Sequence, residues 1–300
     1  MGNSEPAAER VLVAGGDQDP NLAALLRTLA QRGAPFAFLA AGAGRDPAFE
    51  WDLASGELRI DGAPLEPRAA FVRYDVFTHL ADGRPESSFR AGAFFTAVTG
   101  YLAAHDEVRL LNRRSLFGHT NKTHVLALAQ RAGLAIPATL IGNFVPGFEA
   151  WLPGEGKIVK PINGGAHTQR LPAVLAAAPT RGGVLAAPAI VQEELVPPEV
   201  RVFRIGDRYF AFDVASPDLD YRENQNVRLK ALDQVPQDLE RPLEALADQL
   251  GLDFAAADFK TCPRSGRLIF LEINTSPMFA AFDRAAAGAL TGAMADWLLR

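Results

Sequence analysis

The chain has 300 residues, 48% of them hydrophobic and 22% charged, with a formal net charge of -5. That length exceeds one minimal core and suits two or three compact lobes, and the acidic balance argues against a nucleic-acid backbone as the main partner. No apolar run approaches the roughly 20 residues that span a bilayer, MGNSEPAAER lacks the apolar stretch of a secretory signal, and a single cysteine, Cys262, excludes an intrachain disulfide, so a soluble cytoplasmic α/β protein is expected.

Residues 11–14 are an apolar run ahead of Gly15-Gly16 and predict a buried strand. Asp19 then offers an N-cap with Pro20 at the first helical position, Leu22, Leu25, Leu26 and Leu29 keep helical spacing, and Gly33 closes the helix. A second strand at 36–39 completes a strand–helix–strand order, which predicts a parallel crossover. Residues 50–60, broken at Ser55-Gly56, predict a hairpin. A strand at 69–74 carries Arg73 toward its end, and a helix at 89–104 leads to a strand at 108–111.

The segment 119–131 is helical and ends at Gly133. Strands follow at 138–141 and 157–160, then a Gly164-Gly165 loop and an apolar strand at 190–193. The stretch 172–189, rich in Ala, Pro and Gly, reads as the loosest internal region. Residues 200–205 and 209–214 flank the turn Gly206-Asp207 as a hairpin. A helix over 239–250 is capped by Gly251, strands 254–260 and 267–273 pair around Arg264-Ser265-Gly266, and one last helix covers 285–299.

The strongest chemical signal lies in that last pair of strands. Glu272 and Asn274 are two apart on a strand and so share a face, and a hairpin can set Asp258 beside them. Three hard oxygen ligands together suit Mg²⁺ shared with phosphate oxygens; the plainer alternative is a salt-bridged surface strand. Lys160 ends a strand before a glycine loop, an arrangement that can hold phosphate by charge and backbone N–H groups. Taken singly, Lys160, Lys122 in HTNKTH, and Arg222 and Asn224 in LDYRENQN each read equally well as solvated residues.

Other features are weaker. Gly15-Gly16 lacks the G-x-G-x-x-G spacing of a dinucleotide site, and His119 and His124 are five apart, which does not put them on one helical face for zinc. Cys262 reads as a spectator, and Arg73 either binds a substrate carboxylate or sits in a surface ion pair.

Taken in order, a lysine at a helix start, a strand-lysine-glycine loop, QEEL, RVFRIGDRYFAFDV, DYREN and D…EIN resemble the ATP-grasp enzymes over residues 110–300. The likeness is greatest to the branch holding ligases that add glutamate to ribosomal protein tails and graspetide synthetases that macrocyclise peptides. The N-terminal portion, with its βαβ start, tryptophan-containing hairpin and strand AFVRYD, resembles the graspetide synthetases. EINTSPMF departs from their usual Gly-Gln pair and shares Ser-Pro with the glutamate-adding ligases.

The resemblance implies an N-terminal parallel α/β lobe (1–115) followed by an ATP-grasp domain (116–300), whose central lobe (about 116–192) and C-terminal lobe (about 193–300) are both α+β and clasp ATP between them. It implies that Lys122 and Lys160 contact ATP phosphates under the Gly164-Gly165 loop, that Glu193 and Leu195 meet adenine, and that Glu199 holds the ribose hydroxyls. Arg201, Arg222 and Asn224 would face the γ-phosphate and an acyl phosphate, and Asp258, Glu272 and Asn274 would hold two Mg²⁺, for which Mn²⁺ could substitute. The implied activity is a carboxylate–amine ligase forming an amide or ester bond with release of ADP and phosphate. Its substrates would be small molecules or peptides, and it would form a dimer or tetramer. The alternatives are a macrocyclase acting on a ribosomal peptide and a nucleotide-binding module without ligase activity.

Overall fold

The computed structural model describes residues 9–42, 46–77, 83–116, 121–151, 156–163, 167–215 and 227–300. In chain order the elements begin with β1 (Glu9–Gly16), α1 (Pro20–Gln31) and β2 (Phe36–Ala41). Short strands β3 (Phe49–Trp51), β4 (Leu58–Ile60) and β5 (Ala63–Pro64) precede β6 (Glu66–Val72), α2 (Pro85–Ala104) and β7 (Arg109–Leu110). Then come α3 (Lys122–Arg131), β8 (Thr139–Phe144), α4 (Val145–Trp151), β9 (Lys157–Pro161), β10 (Gln169–Arg170), α5 (Leu171–Ala177), β11 (Thr180–Arg181) and β12 (Val184–Glu193). The last part holds β13 (Val196–Ile205), β14 (Arg208–Ala215), β15 (Arg228–Ala231), α6 (Glu240–Leu250), β16 (Phe254–Thr261), β17 (Leu268–Asn274), α7 (Ala280–Ala285) and α8 (Ala289–Leu298).

The first sheet has the order β2-β1-β6-β7, and all its pairings are parallel. Its central strand is apolar on both sides because both sides are covered. Val11 and Val13 join α1 in one core, whereas Leu12 and Ala14 join the α2 core. Asp19 caps α1 by accepting from the Asn21 N–H, and Pro20 occupies the first turn. The predicted hairpin is β3–β4, antiparallel with Phe49 opposite Ile60.

A second sheet, ordered β10-β9-β12-β11 with β8 also on β12, and a third, β15-β14-β13-β16-β17, make up the rest. The third sheet is sandwiched. On one side α3 and α6 bury Leu126, Leu128, Leu243 and Leu246 against Val202, Ala257 and Phe259. On the other, α1, α7 and α8 lie between it and the first sheet, so Val13 and Phe71 share a core with Phe203, Phe212, Phe279 and Leu298. The first and third sheets are therefore joined by one continuous apolar core.

Two expectations are corrected here. The stretch 172–189 carries most of α5, β11 and the start of β12, with Gly182 and Gly183 turning the hairpin at positive φ. The helix expected over 285–299 is α8, which starts four residues later because Ala287 (φ 51°) and Gly288 (φ 86°) are left-handed, and a further short helix, α7, precedes it where none was expected. Among the described residues no helix is long and apolar enough to cross a membrane.

Candidate functional site

The face of the third sheet that meets the α7–α8 layer changes character along its length. In the register of β13 with β16, Ile205 lies opposite Phe254 and Phe203 opposite Ala256, all apolar and buried. Two residues further the pair is Arg201 with Asp258, and then Glu199 with Lys260. Strand periodicity keeps these side chains on one face, so its apolar half is core and its other half is a row of opposite charges.

Arg201 grips Asp258 through two bonds, Nε to Oδ1 at 2.6 Å and Nη2 to Oδ2 at 2.7 Å, with both groups buried and the guanidinium over the Phe282 ring. Lys260 stands 3.2 Å from the Glu199 carboxylate. Burial pushes the Glu199 carboxyl above the ordinary glutamate range, while Lys260 pulls it back down.

On the next strand Glu272 lies opposite Asp258, and Asn274 donates from Nδ2 toward Asp258 Oδ2 at 3.3 Å and Glu272 Oε1 at 3.4 Å. A bulge makes this possible. Asp258 pairs with Glu272 but Phe259 pairs with Phe270, so Leu271 is an extra residue. Phe270 can then enter the core on the far side of the sheet while Glu272, only two positions on, turns to the charged face.

Across a cleft from β17 stand the cations. Lys122 opens α3, whose N-cap Asn121 accepts from the Thr123 and His124 N–H groups, and Lys160 lies on β9 opposite Ile190 of β12. Lys122, Lys160, Glu272 and Asn274 line this one cleft with Val125, Leu126, Ile190 and Gln192. Burial pushes the half-buried Lys160 ammonium below the ordinary lysine value, Glu272 opposes that shift, and Lys260 and Lys122 reinforce it. A low-dielectric wall carrying cations beside carboxylates suits a polyanion that arrives with a divalent cation.

Whether the carboxylates fit such a cation follows from their chemistry. Among the described residues no group of three or more His, Cys, Asp or Glu side chains could hold a metal ion. Glu272, and Asp258 once released from Arg201, could supply two hard anionic ligands, and Asn274 could add a third if its amide presents Oδ1. That partial shell fits Mg²⁺, which keeps waters and shares phosphate oxygens.

The remaining expected residues are placed differently. Glu193 accepts from the Ala138 N–H at 3.0 Å and from Arg264 Nη2 at 2.7 Å, and its own N–H donates to the Ala138 carbonyl. Leu195 is buried with Cys262 and Ile269 against Leu271, which also lines the cleft. Gly164, Gly165, Arg222 and Asn224 lie outside the described residues.

Arg73 is in an ion pair, as one of its readings had it, but a buried one and not one at the surface. It is 3% exposed, with Nε donating to Asp19 Oδ2 at 2.8 Å, Nη1 to the Ser276 hydroxyl at 3.1 Å and the Pro277 carbonyl at 2.9 Å, and Nη2 to Met278 Sδ at 3.4 Å. It ties the first sheet to the segment that follows Asn274.

Sequence reasoning missed Gln192 and Lys260. Gln192 is 1% exposed; its Nε2 donates to Thr139 while its Oε1 is buried with no partner among the described residues. A glutamine inside the apolar run IVQE was the available signal for one, and the i, i+2 spacing of Lys260 from Asp258 for the other.

No family model and no curated protein matches the chain. Solved structures do. The chain is similar to the ATP-grasp ligase PsnB complexed with a minimal precursor, with TM-score 0.77 and 23% identity over 97% of this chain and 98% of that one. It is similar to a RiPP-associated ATP-grasp ligase of Chryseobacterium gregarium in complex with ADP and a leader and core peptide (TM-score 0.74, 17% identity, 97% of each chain). It is also similar to the macrocyclase MdnC of Microcystis aeruginosa bound with precursor peptide MdnA (TM-score 0.72, 20% identity, 97% and 99%). The chain has the ATP-grasp fold, with an N-terminal parallel α/β portion.

Proposed function

We propose that the chain is an ATP-dependent ligase that activates a carboxylate as an acyl phosphate and joins it to an amine or hydroxyl, releasing ADP and phosphate. The observation that carries the reading is the convergence, on an ATP-grasp fold, of Lys122 and Lys160 with Glu272 and Asn274 in one cleft, with Asp258 and Arg201 paired beside them. In this reading residues 1–115 form the N-terminal lobe, and lobes of about 116–192 and 193–300 enclose the nucleotide.

A carboxylate resists an amine near neutral pH because its leaving group would be an oxide; phosphorylation gives it phosphate to expel. The protein's work is to position two anions and cancel their repulsion. Lys122 and Lys160 hold the phosphates, and Gln192 offers Oε1 to a donor on the nucleotide. Asp258, Glu272 and Asn274 would hold Mg²⁺, which when bound would neutralise phosphate charge. Arg201, now on Asp258, would turn to the transferred phosphoryl group once a cation draws on that carboxylate. Glu199 accepts from the ribose hydroxyls, Glu193 and Leu195 form the adenine wall, and Arg222 with Asn224 complete the phosphoryl end.

The substrate class we infer is a peptide that carries the reacting carboxylate, since the proteins named above are described with precursor peptides. Macrocyclisation, in which acidic side chains join Lys, Ser or Thr of the same peptide, is the second reading, favoured by the likeness to a macrocyclase. The deciding experiment uses the acid that stimulates ADP release, labelled with ¹⁸O in its carboxylate. One label should appear in released phosphate. Label in AMP, with pyrophosphate as co-product, would mean an acyl adenylate and overturn the mechanism.

A further inference from the structure

A second cavity begins where the nucleotide cleft ends. The cleft is lined up to Asn274, and the next two residues, Thr275 and Ser276, line a separate cavity of about 170 Å³ between the first and third sheets. Its walls include Phe71 and Val72 at the C-terminal end of β6, Phe95 of α2, Leu111 just past β7, and Phe254 at the start of β16. Open α/β sheets bind ligands at this carboxyl edge of their strands.

The polar groups around the cavity are largely spent inside the protein. Asn112 donates to the Phe254 and Thr275 carbonyls and accepts from the Phe254 N–H, Ser115 donates to the Asn112 carbonyl, and Ser276 accepts from Arg73. What these walls offer a guest is mainly apolar contact, with polar edges at Tyr74 and Thr275. Its volume is close to the roughly 150 Å³ that accommodates a benzene ring.

We propose that this cavity is a specificity pocket for one aliphatic or aromatic side chain adjacent to the carboxylate that is phosphorylated. The proposal rests on the ligase reading for its orientation. In-line transfer needs the attacking carboxylate on the far side of the γ-phosphate from ADP, and this cavity adjoins the metal strand at its outgoing end. Seating a neighbouring side chain here would hold the carboxylate at that end of the strand.

The test uses the full chain, Val72→Phe and Ser115→Phe as independent pocket-filling variants, and Leu53→Asp on the exposed hairpin as a control. Fluorobenzene, followed by ¹⁹F NMR, should bind the wild type and the control and be lost in both filled variants. Blocked tetrapeptides with one Glu or Asp beside Ala, Asn, Leu or Phe are then assayed for stimulated ADP release with Mg-ATP. Leu and Phe should lower KM by about tenfold or more relative to Ala and Asn, the scale at which a hydrophobic pocket discriminates. Filling the pocket should abolish that preference while KM for ATP stays as in the wild type. Active peptides with no flanking preference, or a preference that survives both filled variants, overturn the pocket and leave the ligase standing. Fluorobenzene that fails to bind the wild type overturns the pocket, and fluorobenzene bound beside uniformly inert peptides overturns the pocket's assigned guest, while the ¹⁸O experiment decides the ligase reading separately.

Discussion

Glu272 and Lys160 reach one cleft from different sheets, and each can be tested by removing one charge. Glu272→Gln is nearly isosteric but takes an anion from the proposed cation site. ADP release should fall by orders of magnitude at ordinary Mg²⁺ while the melting temperature holds; wild-type turnover in this variant would remove Glu272 from the site. Lys160→Ala should weaken ATP more than AMP in calorimetry, because its assigned partners are the outer phosphates; equal losses for both would count against that role. Tyr209 tests a different cost. Its hydroxyl is buried without a partner among the described residues, and burial pushes the phenol from its ordinary 10 up to about 12. The unfolded chain then loses this proton first, so the native state loses stability as pH rises from 10 through 12. Tyr209→Phe should gain about 1 kcal/mol near neutral pH by removing the unsatisfied hydroxyl, and should lose that part of the alkaline decline. Denaturant melts at pH 7 and across the alkaline range check both.

At the scale of elements, the junction of the first and third sheets is held by a buried polar knot. Arg73 bridges Asp19 to Ser276 and Pro277, and Asn21 Oδ1 accepts from the Phe279 and Ala280 N–H groups. Asp19 also caps α1, so one ion pair fixes a helix start, a strand end and the segment leaving the candidate metal strand. Arg73→Met leaves the Asp19 carboxylate buried without its cation, and should cost about 3–5 kcal/mol. Adding Asp19→Asn, which removes that charge and keeps a good N-cap, should recover a large part. A single variant as stable as the wild type, or a double variant no better than the single, would show that the knot is not holding the junction.

For the whole molecule, the nucleotide is expected to bind the native state alone and to bridge sheets from two lobes. Mg-ATP should therefore raise the melting temperature, by an amount that grows with nucleotide concentration and that EDTA largely removes. A shift indifferent to EDTA would argue that the carboxylates of β16 and β17 take no part in nucleotide binding.

The sequence by itself determined the parallel βαβ start, the cap at Asp19, the stop at Gly251 and the pairing of 254–260 with 267–273, because periodicity, capping and turn chemistry act within a few residues. It also made Glu272 and Asn274 share a face, since two residues is the strand repeat. Local pattern misled where the signal was tertiary. Ala-rich composition hid α5, and the left-handed pair Ala287 and Gly288 moved the start of the last helix from the expected 285 to Ala289. Arg73 looked like a surface or substrate cation because its partners lie 54 and 203 or more positions away in sequence. Only the tertiary structure chose the bulge at Leu271, the bidentate pairing of Arg201 with Asp258, and the burial of Gln192 against the cleft, because each depends on which strand becomes the neighbour.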